Sequence, residues 1–362
     1  LALALSAFSA RAGLDIQHWT LPDGARVYFV ENHDLPMIDL SVDFAAGAAR
    51  DVPERAGLAA MTNRLMTLGA GGWSEHEIAE RLADAGANLS GRLDSDRAGI
   101  VLRTLSAAPE RDAAFAVLRA VLARPSFDAQ VLKREVERAV AGIREASVKP
   151  EYIGQKAFQE AIYGKHPYAL PEEGEIETLG QLTVADLRDF HRRHYTPANM
   201  VVAIMGDMRR AEVDVLVREI AAALPEGAVL PPLPAVPALG QASERLLPHH
   251  ASQSHLFIGA PGMSRDDPDY FPLLVGNYVL GGGGFDSRIM SEIRQKRGLA
   301  YSAYSYFSPM QVAGPFQIGM QTRREATDEA LAVLRETLRR FVADGPTDAE
   351  LAQARNNLVG GF

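Results

Sequence analysis

Shifting the sequence against itself by 215 residues places Arg50-Asp51 on Arg265-Asp266, Pro53 on Pro268 and Leu58 on Leu273. The glycine-rich end of one helical stretch then falls close to that of the other. Matches in this order, with strand-like stretches before and after, mark a duplicated α+β unit, which must bury the same apolar faces twice. A chain of 362 residues has room for two such domains. Between them Pro225, Pro231, Pro232, Pro234 and Pro237 crowd into one short span, which favours an extended, stiff connector. The expected organisation is a first α+β domain over 13–224, a linker over 225–244 and a homologous domain over 245–362. The second copy is expected to be incomplete, because LAQARNNLVGGF stops in a helical pattern.

The element pattern supports this. IQHWTLPDGARVYFVEN (16–32) alternates apolar residues around Pro22-Asp23-Gly24-Ala25, a hairpin signal, and MIDLSVDFAAG (37–47) is a further strand. Asp51-Val52-Pro53 leads into a helix that ends at glycines, and WSEHEIAERLADAGANLSGRL reads as helix then strand. DRAGIVLRTLS is a strand, residues 109–147 have helical spacing, and HRRHYTPANMVVAIMGDM passes from a helix end through Thr196-Pro197 into a buried strand. After the linker the order restarts: SQSHLFIGAPG as a strand, RDDPDYFPLLVGNYVLGGGG as a helix, SYFSPMQVAGPFQIGMQT as two strands.

Several function classes fall away. The net charge is −9 and the basic residues form only short mixed clusters such as RQKR at 294–297, so a nucleic-acid partner is not expected. The absence of cysteine excludes disulfides, thiolate metal sites and cysteine nucleophiles. LALALSAFSARA is an apolar, small-residue run ending in Ala10-Arg11-Ala12, the pattern of a signal-peptidase site. Residues 1–12 are therefore expected to be the remnant of an export signal. No later segment has the length of a membrane span, and an exported, periplasmic protein is the expectation.

GGGGFDSRIMSEIRQKRGLAY (281–301) carries the chemistry. A phosphate loop needs Lys and Ser/Thr at fixed spacing after a strand, but Gly281, Gly282, Gly283 and Gly284 follow an apolar helix and lack both. They read as a helix C-terminus followed by a tight, sterically permissive loop. Arg294 and Tyr301 stand seven apart, on a helix and at the start of a strand. On their own they read as a surface charge and a half-buried strand residue.

Together with GAARDVPERAGLAAM and HRRHYTPANMVVAIMGD, this stretch resembles the pitrilysin/insulinase-type metallopeptidases, the inverzincins. The resemblance covers nearly the whole chain. It implies two homologous α+β domains, each a mainly antiparallel sheet covered by helices, paired like the halves of a shell around a peptide. The family motif H-x-x-E-H sets two His four apart on one helix face to share a zinc, with the Glu activating water. Here that motif falls on Ala60-Met61-Thr62-Asn63-Arg64, so the ligand positions hold Ala60 and Arg64, and the base position Asn63. Counting places the distant Glu ligand near Ala141 or Gly142, with Glu145 off register. No metal is expected on this chain. The second signature is intact: the resemblance gives Arg294 and Tyr301 the task of stabilising charge on a peptide substrate, with the glycine loop as side-chain-free backbone beside it.

The other histidines offer no replacement. Ser74 and Glu77 form a capping box that makes His76 a solvated first-turn residue, His191 and His194 suit a helix end meeting a strand, and His249 and His250 would point apart on a strand. The resemblance implies a non-catalytic subunit that lends Arg294 and Tyr301 to a homologous partner carrying H-x-x-E-H and its zinc. The alternative is a peptide-binding or scaffold homologue without a proteolytic role.

Overall fold

A computed structural model describes residues 14–361. The expected export-signal remnant lies outside them. By its contacts the chain forms two compact units. Of the described residues, one comprises 14–50, Leu58–Glu135 and Gln181–Leu230; the other comprises Asp51–Gly57, Val136–Gly180 and 231–361.

In chain order the strands are β1 (Gln17–Thr20), β2 (Arg26–Glu31), β3 (Met37–Phe44), a short hairpin of β4 (Gly69–Ala70) and β5 (Trp73–Ser74), β6 (Asn88–Leu93), β7 (Ala98–Leu105), β8 (Met200–Gly206), β9 (Gln253–Pro261), β10 (Ala300–Phe307) and β11 (Pro315–Arg323). The helices are α1 (Leu58–Met66), α2 (Glu75–Asp84), α3 (Ala108–Ala123), α4 (Ala129–Ala146), α5 (Pro150–Tyr163), α6 (Ile176–Leu179), α7 (Val184–His194), α8 (Arg210–Ala223), α9 (Tyr270–Asn277), α10 (Arg288–Met290), α11 (Thr327–Asp344) and α12 (Asp348–Gly360). Residues 225–252, which include the proline-rich stretch, contain no helix or strand.

The first unit's sheet runs β1-β2-β8-β3-β7-β6, antiparallel except for the β2–β8 pair. Alternation explains its core: Leu40 on β3 faces Leu102 and Ile204, and Val42 faces Ile100 and Val202, all of them buried. The second unit's sheet is antiparallel with the order β10-β11-β9. The 215-residue shift carries β6, β7 and β3 onto residues 303–308, 313–320 and 252–259, where β10, β11 and β9 lie in the same order. The duplication read from the sequence is thus a duplication of topology.

One face of the second sheet packs Ile318 and Met320 against Ile289, Ile293 and Leu334. The opposite face is covered in part by α5. Gly154 lies against Phe257, Phe158 meets the same ring at 6.5 Å, and Gln155 exchanges amide hydrogen bonds with Gln317 at 3.1 and 3.0 Å. Residues 136–180 precede the linker in the chain yet pack with the segment beyond it, so the boundaries of compact packing differ from the contiguous ones read from the repeat.

Candidate functional site

Helix α1 carries the positions of the zinc motif. Ala60 offers a methyl group. Asn63 is buried and donates its amide to the Gly99 carbonyl at 2.9 Å and, at 3.4 Å, to the Tyr195 hydroxyl, whose pKa burial pushes up. Its Oδ1 lies 2.4 Å from where a Gly91 Cβ would stand, so Asn63 fills the space between α1 and β6. Arg64 turns outward and its Nε donates to Glu135 at 3.2 Å. Glu135 is only 3% exposed and also accepts Arg134 Nε at 2.9 Å, while Arg134 Nη2 reaches Glu75 at 2.7 Å.

The acid that faces position 64 is therefore Glu135, not one near 141–145. Gly142 has open space where its side chain would be, and Glu145 is exposed and bound to Lys149 at 2.9 Å. These residues do not fit a metal. A guanidinium stands at the second ligand position, a methyl at the first, and the buried Glu135 carboxylate is engaged by Arg64 and Arg134.

The histidines weighed as replacement ligands are placed as follows. His191 Nε2 bonds the Leu122 carbonyl at 2.8 Å and His194 Nδ1 the Phe190 carbonyl at 2.9 Å. Burial lowers both pKa values, that of His194 to about 4. His76 pairs with Glu80 at 3.2 Å on the surface, next to the expected Ser74/Glu77 capping box. His249 and His250 lie ahead of β9 and not on a strand; His249 Nε2 bonds the Val148 carbonyl at 3.2 Å.

Arg294 and Tyr301, in contrast, are brought into direct contact. A π-helical stretch, Ser291–Gln295, continues α10 and carries Arg294, and Gly298, at φ +61°, turns the chain into β10. There β10 bulges: Ala300 pairs with Thr322 and Ala303 with Met320, so Tyr301 and Ser302 together oppose Gln321. The bulge leaves Tyr301 81% exposed, not half-buried as expected, and its carbonyl accepts Arg294 Nη1 at 3.0 Å. The guanidinium carbon lies 4.4 Å from the Tyr301 ring centroid and 4.7 Å from that of Phe285, which is 59% exposed. Sequence reasoning missed Phe285; the one signal available was a large apolar residue in an otherwise glycine and polar loop.

The glycines have packing reasons. A Cβ on Gly281 would come within 2.5 Å of the Ser305 backbone nitrogen, and one on Gly283 within 2.7 Å of the Tyr278 carbonyl oxygen. Gly282 sits against the Asn277 amide, and Gly284 makes the turn at φ +58° with open space beside it. Asn277 and Ser305 then lock the helix end to β10 through hydrogen bonds of 2.6 and 3.0 Å.

Comparison with known families decides the wider question. The family model for insulinase (peptidase family M16) matches residues 26–174, and that for the peptidase M16 inactive domain matches residues 181–358. The chain belongs to the M16 family. A crystal structure of a peptidase M16 inactive domain from Pseudomonas fluorescens is similar with a TM-score of 0.94 and 36% identity, over 96% of this chain and 84% of that one. A non-peptidase homolog from Helicobacter pylori is 24% identical over 335 residues, 92% of this chain and 77% of that protein. An uncharacterized zinc protease of Streptomyces coelicolor is 34% identical over 212 residues, 56% of this chain; the match spans less than half of that protein, 45%. Family and α+β fold are as the motifs implied. Within M16 the chain resembles inactive members: its second half fits the inactive-domain model, and its α1 has neither histidine nor the glutamate of the motif.

Proposed function

We propose that this chain is the non-catalytic subunit of a two-chain M16 peptidase, exported with a homologous partner whose H-x-x-E-H motif binds the zinc. The observation that carries the reading is the exposed, mutually fixed Arg294–Tyr301 pair on a chain whose α1 has lost every zinc-motif residue. Its residues would act on a peptide held at the partner's metal. The Tyr301 phenol donates a hydrogen bond to the oxygen that gains negative charge as the scissile carbonyl becomes tetrahedral, and Arg294 donates to a neighbouring substrate group. Donors fixed before reaction favour the transition state over the ground state, and removing one typically costs about 3 kcal/mol of barrier. The glycine loop keeps side chains out of that space.

Mild purification of the protein from its native host, with mass spectrometry of the proteins that travel with it, tests the reading. A stoichiometric partner carrying H-x-x-E-H is expected. A lone monomer or homodimer would transfer the case to a peptide-binding scaffold. In the assembled complex, Tyr301→Phe should lower peptide turnover by about a hundredfold while leaving assembly intact. Unchanged turnover would make Tyr301 a structural residue.

A further inference from the structure

The environment of Arg294 says more about its ligand than the sequence does. Of the basic residues that end the helix, Lys296 and Arg297 are both consumed by Glu292, and Gln295 donates to the Phe285 carbonyl at 3.0 Å. Among the described residues Arg294 makes no ion pair; its one hydrogen bond runs from Nη1 to the Tyr301 carbonyl. Two ring contacts and that bond fix the guanidinium plane. They leave the edge formed by Nε and Nη2 without a protein acceptor. That edge is the two-donor fork that matches a carboxylate, and charge-assisted pairs of this kind are about twice as strong as neutral ones. Holding the fork in place beforehand removes part of the ordering cost of binding.

We propose that the Phe285–Arg294–Tyr301 cluster is a carboxylate-binding subsite, so that the peptides handled here carry an acidic group, either a side chain or the C-terminal carboxylate, at the position that meets Arg294. Phe285 is then a positioning residue that acts through Arg294. The proposal rests on the reading of this patch as peptide-handling but not on the partner, so it is tested on the isolated full chain, where failure to find a partner has no bearing.

The probe is the side-chain Nε–Hε NMR signal of Arg294, assigned by its loss in Arg294→Lys. It is followed during titration with N-acetylated penta-alanine as free acid and as amide, and with N-acetyl-Ala-Ala-Glu-Ala-Ala-amide and its Gln counterpart. The expected result is a saturable downfield shift with a carboxylate-bearing peptide, weakened about tenfold or more by Phe285→Leu and retained by Phe285→Tyr. A response to the free acid alone assigns the C-terminus, to the Glu peptide alone a side chain, and to both a general acid preference; each supports the subsite. Equal responses to the amide and Gln peptides would show a carbonyl-binding site, and no response would show no site. Either overturns the proposal, as does a Phe285→Leu variant that binds the acid as the parent does.

Discussion

Arg64→Ala tests whether an internal ion pair has taken the place of a metal in the first unit. Glu135 is 3% exposed and accepts two arginine Nε donors, at 3.2 and 2.9 Å. A hydrogen bond to a charged group contributes roughly 1.5–3 kcal/mol, and taking one from a buried carboxylate leaves desolvation uncompensated. The Arg64 side chain is 53% exposed, so water takes over part of its role, and Arg134 stays in place. The expected cost is therefore about 1–2 kcal/mol. In Arg64→Ala/Glu135→Gln the carboxylate charge is gone as well, and the double variant should cost about 1 kcal/mol less than the sum of the singles. The measurement is urea unfolding at low ionic strength, because guanidinium chloride would screen the pair. Hydrogen exchange of the α4 amides serves as the local readout. An Arg64→Ala change within about 0.3 kcal/mol of zero, or strict additivity in the cycle, would refute the reasoning. A midpoint of the parent chain that falls on adding EDTA would show instead that a metal contributes here.

Three further outcomes are expected. Glu350 accepts both Arg288 donors at 2.7 Å, and this pairing first of all holds its carboxyl at about 2 against an ordinary 4.5. A lowered folded-state value means that its stabilisation is complete above pH 4.5 and is lost as pH falls through 2. At most this is about 3 kcal/mol, reduced to about 2 by its partial exposure. Exchange protection of α12 should therefore fall over that window in the parent and not by that increment in Glu350→Gln; parallel profiles would remove the claim. Gly281→Ala drives a methyl into the Ser305 backbone and should cost about 1–3 kcal/mol, whereas Gly284→Ala has open space and should cost about 1 kcal/mol through its left-handed backbone alone. Thermal midpoints in the reverse order would overturn that distinction. If the proposed complex with a zinc-bearing partner exists, Tyr301→Phe should slow its peptide turnover without disturbing the fold; a lowered thermal midpoint of the isolated chain would point to a packing role instead.

Whatever depends on local period or local chemistry was legible in the sequence. Strand patterning placed β3 and β7, the Ser74/Glu77 box started α2, and the repeat showed that an α+β unit recurs. The features that escaped depend on tertiary crossing. Helix α5 carries weak periodicity because part of its inner face is Gly154 and Gln155, residues suited to the particular surface offered by Phe257 and Gln317. In the sequence Glu135 is one more acid on a charged helix; only the crossing with α1 singles it out. Phe285 read as loop, since nothing in a sequence distinguishes a freely exposed ring from one stacked on the guanidinium of Arg294.

The two halves also differ in what substitution could do to them. In the first unit the start of α2 is tied to α4 by Glu75 and Arg134; in the second the start of α10 is tied to α12 by Arg288 and Glu350. A tie of this kind between helices needs opposite charges and not a given polarity. A zinc centre has no such freedom. Its ligands must all present lone pairs to one dication, and a guanidinium, having none, cannot be a member of the set. Arg64 therefore abolishes the chemistry of its half while helping to hold the scaffold through Glu135. Arg294 and Tyr301 have kept a geometry that scaffold packing does not require, with Tyr301 and Phe285 both largely in solvent. Exposed rings around a cation that makes no ion pair are a cost to a water-facing surface unless something binds there, which is why that patch, and not the fold, carries the functional reading.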